Sequence, residues 1–298
     1  MLPTGPDPER PMSELLRQIV DVVSLTKPRL SSLVIFTTAI GILVAPGTMP
    51  FGDALWGVLL STLIVASGTV LNMYIERDVD ALMTRTASRP LPDGRLKPAV
   101  ALWFGIALLV IAVPLMVLKV NLLTLGLGLM AWTVYLFWYT PLKRRSVGAV
   151  YVGAIPGATP VVMGWTAATG TIDPVAVALF GILFMWQIPH FIAISMFRRE
   201  EYERAGLKVL PVEYGDQVSL WHMVGTSLGL VAATLAPVWF DVGGPLYMVT
   251  ASLLAVVALT GALWGIPARA GSRWARGYFF GTLVYLPLLL GVLALDVL

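Results

Sequence analysis

Nine stretches of almost unbroken apolar chain, each close to the length that crosses a bilayer, dominate this sequence of 298 residues. They fall at 30–44, 54–75, 98–118, 122–139, 147–168, 174–197, 220–240, 245–266 and 277–297. A helix needs about 20 apolar residues to cross roughly 30 Å of hydrocarbon. The expected fold is therefore all-α and membrane-integral, with nine transmembrane helices. Composition agrees: 57% of residues are hydrophobic and 12% charged, against about 25% charged in soluble domains. Ahead of the first run, which is short and can be extended back towards Ser24, "MSELLRQIVDVVSL" spaces apolar residues as a helix does, with charges between them. Residues 1–27 are expected to be a cytoplasmic segment with an amphipathic helix on the membrane surface. Residues 28–298 then form the nine-helix transmembrane domain.

The basic residues orient the spans. All of the 20 Lys and Arg residues except Lys119 collect on one side. The positive-inside rule puts that side, with the N-terminus, in the cytoplasm, and nine spans then leave the C-terminus outside. A net charge of +3 is thus a topology signal, and no nucleic-acid partner is expected. Cysteine is absent, which excludes disulfides, thiolate metal sites and cysteine nucleophiles. The first 28 residues lack the apolar core of a signal peptide and the acid-poor, Arg- and Ser-rich character of a mitochondrial leader,. A multi-pass protein of the bacterial inner membrane is expected.

Acids mark two of the cytoplasmic connections. "NMYIERDVDALMTRT" begins at Asn72, at the end of an apolar run. At 100° per residue, Asn72, Glu76 and Asp80 share one helix face, extended by Met83 and Thr84, while Asp78 points away,. An amide oxygen and two carboxylates one turn apart suit Mg²⁺, which takes one or two carboxylates plus substrate phosphates. Arg77, Arg85, Arg89, Arg95 and Lys97 follow, and guanidinium groups bind phosphate bidentately. Spacing alone also allows a structural cluster of Asp–Arg pairs ending a helix. The cost of a carboxylate near hydrocarbon favours a functional one, and the pattern suits a diphosphate with an apolar tail.

The pattern N-x-x-x-E-R-D-x-D-x-x-M-x-R-T-x-x-R-P-L resembles the first signature of the intramembrane aromatic prenyltransferases, the UbiA superfamily, and most resembles the branch that farnesylates protohaem. "TKPRL", "YTPLKRRS", "WQIPHFIAISMFRREEY" and "GLKVLP" add to the resemblance, which runs from Thr26 to the end. It implies a central cavity among the nine helices, farnesyl diphosphate and haem B as substrates, Mg²⁺ as cofactor, and Asn72, Glu76 and Asp80 as the catalytic and metal-binding residues. Arg77, Arg85, Arg89 and Lys143 would hold the diphosphate. Read without the resemblance, Lys143 to Arg145 form a basic turn that sets topology.

Many members of the superfamily carry a second D-x-x-x-D where this chain has Arg198 and Tyr202, with Glu200 and Glu201 as the remaining acidic cluster, a departure that resembles the haem branch. His190 lies within an apolar run, and a continuing helix would place Trp186, His190, Ile194, Phe197 and Glu201 on one face,. An intramembrane histidine commonly bonds a neighbouring helix, and position alone favours that reading. With the resemblance, His190 and Arg198 become haem contacts, as iron ligand or propionate partner. His222 has no supporting motif and reads as structural.

In the implied reaction diphosphate departs, a haem vinyl group attacks farnesyl C1, and water captures the second cation. No covalent nucleophile is needed, and none is suggested by the sequence. The resemblance also implies a downstream haem-oxidising enzyme or terminal-oxidase assembly proteins as recipients of the product. A prenyltransferase acting on 4-hydroxybenzoate is the nearest rival, opposed by the missing D-x-x-x-D and by "PHF". A transporter would put charges at mid-membrane in interrupted helices, and a structural subunit would leave both acidic loops unexplained.

Overall fold

The computed structural model describes residues 9–267 and 271–297, and every regular element among them is a helix. In chain order these are α1 (Glu9–Leu25), α2 (Pro28–Val44), α3 (Phe51–Asp80), α4 (Pro98–Lys119) and α5 (Leu122–Thr133). A π-helical segment (Val134–Tyr139) and α6 (Thr140–Leu142) continue α5, followed by α7 (Ala149–Thr169) and α8 (Pro174–Phe197). Two short helices, α9 (Arg199–Arg204) and α10 (Leu210–Glu213), lead to α11 (Gly215–Trp239), α12 (Pro245–Gly265) and α13 (Ser272–Val297). Each apolar run of the sequence is a helix. Among the described residues, seven helices are long and apolar enough to cross a membrane, and eight if α1 and α2, bent by 52° at their junction, count as one span.

Local chemistry sets the breaks. Proline opens α2, α4, α8 and α12, at positions where a missing N–H costs nothing. Asn121 caps α5 by accepting from Thr124 N at 2.8 Å. Asp173 caps α8 by accepting from Val175 N and Ala176 N. Such caps contribute about 1 kcal/mol each.

Two glycines fix the crossing of α2 and α7. A Cβ on Gly41 would sit 2.0 Å from the Val161 carbonyl oxygen, and one on Gly164 would sit 2.0 Å from that of Thr38. The two backbones therefore touch, the arrangement by which membrane helices gain packing energy without a hydrophobic driving force. α7 is also packed against α5 and α8, and its residues Thr159 to Thr166 are all buried.

The length of α3 positions the polar cluster. Thirty residues rise about 45 Å, well beyond a hydrocarbon layer of about 30 Å. Counted from Phe51, the last turns of α3, which carry Asn72, Glu76 and Asp80, lie at the far edge. The helix stops at Asp80, so the stripe does not continue through Met83 and Thr84. Thr86 turns back instead, donating to the Asp80 carbonyl at 2.6 Å. Met83 packs with Val79, Ala205 and Leu207, which joins the two polar loops, and Thr84 is exposed. α8 likewise ends at Phe197, and Glu201 lies on the separate α9, not on the continued face that the sequence suggested.

α1 turns its apolar side outward. Leu16, Ile19, Val20 and Val23 are all exposed while Asp21 is buried. Asp21 accepts from Arg95 at 2.6 Å, so Arg95 ties α1 to the loop after α3 and is engaged there.

Candidate active site

Asn72, Glu76 and Asp80 are all buried, stacked on one face of α3. The Asn72 amide donates to Glu76 Oε2 at 3.0 Å and to Thr140 Oγ1 at 2.9 Å. Its oxygen accepts from the Tyr135 hydroxyl at 3.2 Å. Tyr135 belongs to the π-helical segment, and Thr140 follows it directly. Wide π turns of this kind often occur at functional sites. Here the turn brings two hydroxyls onto one amide, fixing which way Asn72 points.

Each carboxylate has one cationic partner and one unused oxygen. Lys143 bonds Glu76 Oε2, and Arg89 bonds Asp80 Oδ2 at 2.7 Å. Glu76 Oε1 is buried without a hydrogen-bond partner. Asp80 Oδ1 makes no hydrogen bond among the described residues. A buried acceptor left bare costs about 1–3 kcal/mol, and more when charged. Two bare carboxylate oxygens one turn apart on a rigid helix fit a hard divalent cation that keeps its remaining positions for water and phosphate. The donor set is two carboxylates and an amide, consistent with there being no group of three or more His, Cys, Asp or Glu suited to a metal among the described residues.

The positive charge of Arg85 acts on Tyr202, on α9. Burial is the main cause that pushes the Tyr202 hydroxyl up from its ordinary pKa, so it stays a neutral partner for that guanidinium. Arg77 turns away from the stripe: it donates to the Tyr74 carbonyl at 2.9 Å and lies over the Tyr74 ring at 5.0 Å. Helical geometry explains this, since one residue beyond Glu76 is 100° around the axis. Arg198 pairs with Glu201 at 2.6 Å, and Glu200 is exposed. A cavity of about 100 Å³ opens beside Lys143, lined by Tyr139, Gly153, Phe191, Ser195 and Tyr202 among others.

His190 is sandwiched between Trp186 and Phe279, at centroid distances of 4.8 and 4.5 Å. Its Nδ1 lies 2.7 Å from Thr282 Oγ1, whose proton goes to the Phe279 carbonyl at 2.6 Å. Nδ1 must therefore be the donor, and the lone pair of Nε2 is left free. His222 instead hydrogen-bonds the Tyr151 hydroxyl.

Sequence reasoning passed over Lys27, although "TKPRL" was conspicuous. It lies at the break between α1 and α2 with φ 49° and ψ 70°, a left-handed conformation that costs a non-glycine residue roughly 1 kcal/mol or more. Such strain persists where surrounding structure imposes it. Burial, helped by the charges of Arg89 and Lys143 and opposed by Asp80 and Glu76, pushes its pKa down from 10.5 to about 7. The free protein thus gives up the Lys27 proton at a lower pH than an ordinary lysine does, and an arriving polyanion would favour its charged form,. At pH 8, binding of Mg²⁺ and inorganic diphosphate is expected to take up more protons in the wild type than in Lys27→Met,. Calorimetry in buffers of different ionisation enthalpy measures this, and equal uptake in both proteins would remove Lys27 from the site.

The chain matches the model of the UbiA prenyltransferase family over residues 34–284. It is 48% identical over 276 residues to a protoheme IX farnesyltransferase of Myxococcus xanthus, covering 93% of this chain and 94% of that one. It is 50% identical over 239 residues to a protein of that name from Sorangium cellulosum, covering 80% and 85%. Among solved structures, one described as digeranylgeranylglyceryl phosphate synthase superposes with a TM-score of 0.80 at 16% identity, covering 94% of this chain and 99% of that one. A UbiA homolog from Archaeoglobus fulgidus bound to DMAPP and Mg²⁺ superposes with a TM-score of 0.64 at 17% identity, covering 92% and 99%. With its fold and most of its length in agreement, the chain is a multi-pass membrane protein that belongs to the UbiA prenyltransferase family.

Proposed function

We propose that this protein transfers the farnesyl group of farnesyl diphosphate to a vinyl group of haem B, with addition of water, releasing diphosphate and forming haem O. The observation that carries the transferase reading is the pair of unused carboxylate oxygens on α3, ringed by Lys27, Arg89 and Lys143. The acceptor is supported by relatives at 44–50% identity that are named protoheme IX farnesyltransferase. Glu76 and Asp80 would hold Mg²⁺, with Asn72 beside them, and the bound ion supplies charge neutralisation of the departing diphosphate. Arg89 and Lys143, now spent on the carboxylates, and Arg85 would turn to the diphosphate oxygens. His190 Nε2 is the free imidazole nitrogen for haem iron, and its Nδ1 bond to Thr282 orients the ring as an outer partner does for a metal-bound histidine. Tyr139 and Phe191, in the cavity beside Lys143, can face an allylic cation without attacking it.

The same reading gives nine spans in a bacterial inner membrane. α2 has only 17 residues but starts directly at the bent α1. α7 is a span whose weaker hydropathy suits a helix shielded by α2, α5 and α8. The N-terminus is then cytoplasmic and the C-terminus external, with residues 1–27 forming the interfacial segment, of which residues 1–8 lie outside the described structure. The exposed apolar side of α1 would sink into the headgroup boundary. With Mg²⁺ and farnesyl diphosphate supplied, haem B should be consumed while 4-hydroxybenzoate is not. Prenylation of 4-hydroxybenzoate with haem B untouched would overturn the assignment.

A further inference from the structure

Two arginines from different helices converge on one ring at the end of α8. The guanidinium carbon of Arg198 lies 5.8 Å from the Phe197 centroid, and that of Arg276, from the start of α13, lies 5.5 Å from the same ring. Phe197 meets Phe279 edge-on at 5.5 Å, and Phe279 stacks on His190, which stacks on Trp186. The whole is an aromatic column between α8 and α13 that ends in two positive charges. Arg276 has no carboxylate within 4.0 Å among the described residues, and Arg198 has only Glu201. Arg276 is exposed. Arg276, held by a ring face rather than by an acid, keeps its donors for an incoming anion, and Arg198 keeps those that Glu201 does not take,.

The ligand that fits is a flat aromatic amphiphile carrying two carboxylates on one edge. We propose that Arg198 and Arg276 clamp the two propionates of haem, with the macrocycle beside the aromatic column. This rests on the haem reading above. It adds an orientation: the propionate edge is held at the membrane rim, so the opposite, vinyl-bearing edge points into the protein. A clamp of this kind selects which part of a nearly symmetric disc meets the farnesyl carbon.

The test compares haem B with its dimethyl ester, whose propionates carry no charge, by absorption titration of the purified protein in detergent. Wild type should bind haem B more tightly than the ester. Arg276→Gln should weaken haem B binding about tenfold, the size of one lost charge-assisted hydrogen bond, and leave the ester unchanged. Arg198→Gln should act in the same direction. Arg145→Gln, an exposed arginine on another connection, should change neither. Equal losses for acid and ester, an unchanged Arg276→Gln, or the same loss in Arg145→Gln would overturn the clamp while the haem reading stood. Failure of wild type to bind either porphyrin would overturn the haem reading itself.

Discussion

Asp80→Ala is expected to cut turnover by roughly two to three orders of magnitude, the scale seen when one preorganised charge partner of a transition state is removed, while the protein stays folded. Two effects combine. The substitution deletes the unused Oδ1, leaving the bare Glu76 Oε1 without its neighbour one turn away. It also frees Arg89, which is held by Asp80 Oδ2 at 2.7 Å, so the guanidinium loses its resting position. Asp80→Asn keeps the shape but not the charge and should lose nearly as much. Rates in membranes, read beside the melting temperature in detergent, separate chemistry from folding. Asp80→Ala at the wild-type rate in chelator-treated membranes would show that α3 holds no metal.

Gly164→Ala should have the largest effect on stability of any single methyl addition in α7. Its Cβ would meet the Thr38 carbonyl oxygen at 2.0 Å and Gly41 Cα at 3.1 Å. Both are backbone atoms, so relief requires the helices to part. Overpacking a tight core costs about 1–3 kcal/mol, occasionally more, and a clash this deep belongs at or above the upper end. The consequence should reach the site, because α2 begins at Pro28, directly after Lys27. Gly126→Ala is the control, since its Cβ would meet nothing within 4 Å. The expected result is a clear drop in melting temperature for Gly164→Ala and little change for Gly126→Ala. Equal melting temperatures would mean that the α2–α7 crossing is looser than the structure has it.

Hydropathy located the helices because the bilayer imposes one length and one polarity on every span. The Asn72–Glu76–Asp80 face was readable for a similar reason: within one straight helix, spacing is direction. What spacing could not give was where the helix stops. The turn of Thr86 back onto the Asp80 carbonyl removed Met83 and Thr84 from the face. The end of α8 at Phe197 removed Glu201 from the His190 face. Arg77 was included for its charge, but the helix points it to Tyr74. Arg95 was expected near phosphate and is held by Asp21, 74 positions away, a pairing that no local pattern signals. Lys27 was missed because its place beside Glu76, Asp80, Arg89 and Lys143 depends on a left-handed backbone at a helix junction. The nearest sequence signal is the Lys-Pro pair that ends one helix and opens the next.

The most direct measurement is the mass of the pigment formed when purified protein is incubated with haem B, farnesyl diphosphate and Mg²⁺ in ¹⁸O-enriched water. The expected product is haem carrying one farnesyl group and one added hydroxyl whose oxygen comes from the solvent, with one diphosphate released per pigment. Removing Mg²⁺ with a chelator should abolish it. Unchanged haem B, with farnesyl diphosphate intact or spent on another acceptor, would contradict the assignment of this protein as a haem farnesyltransferase.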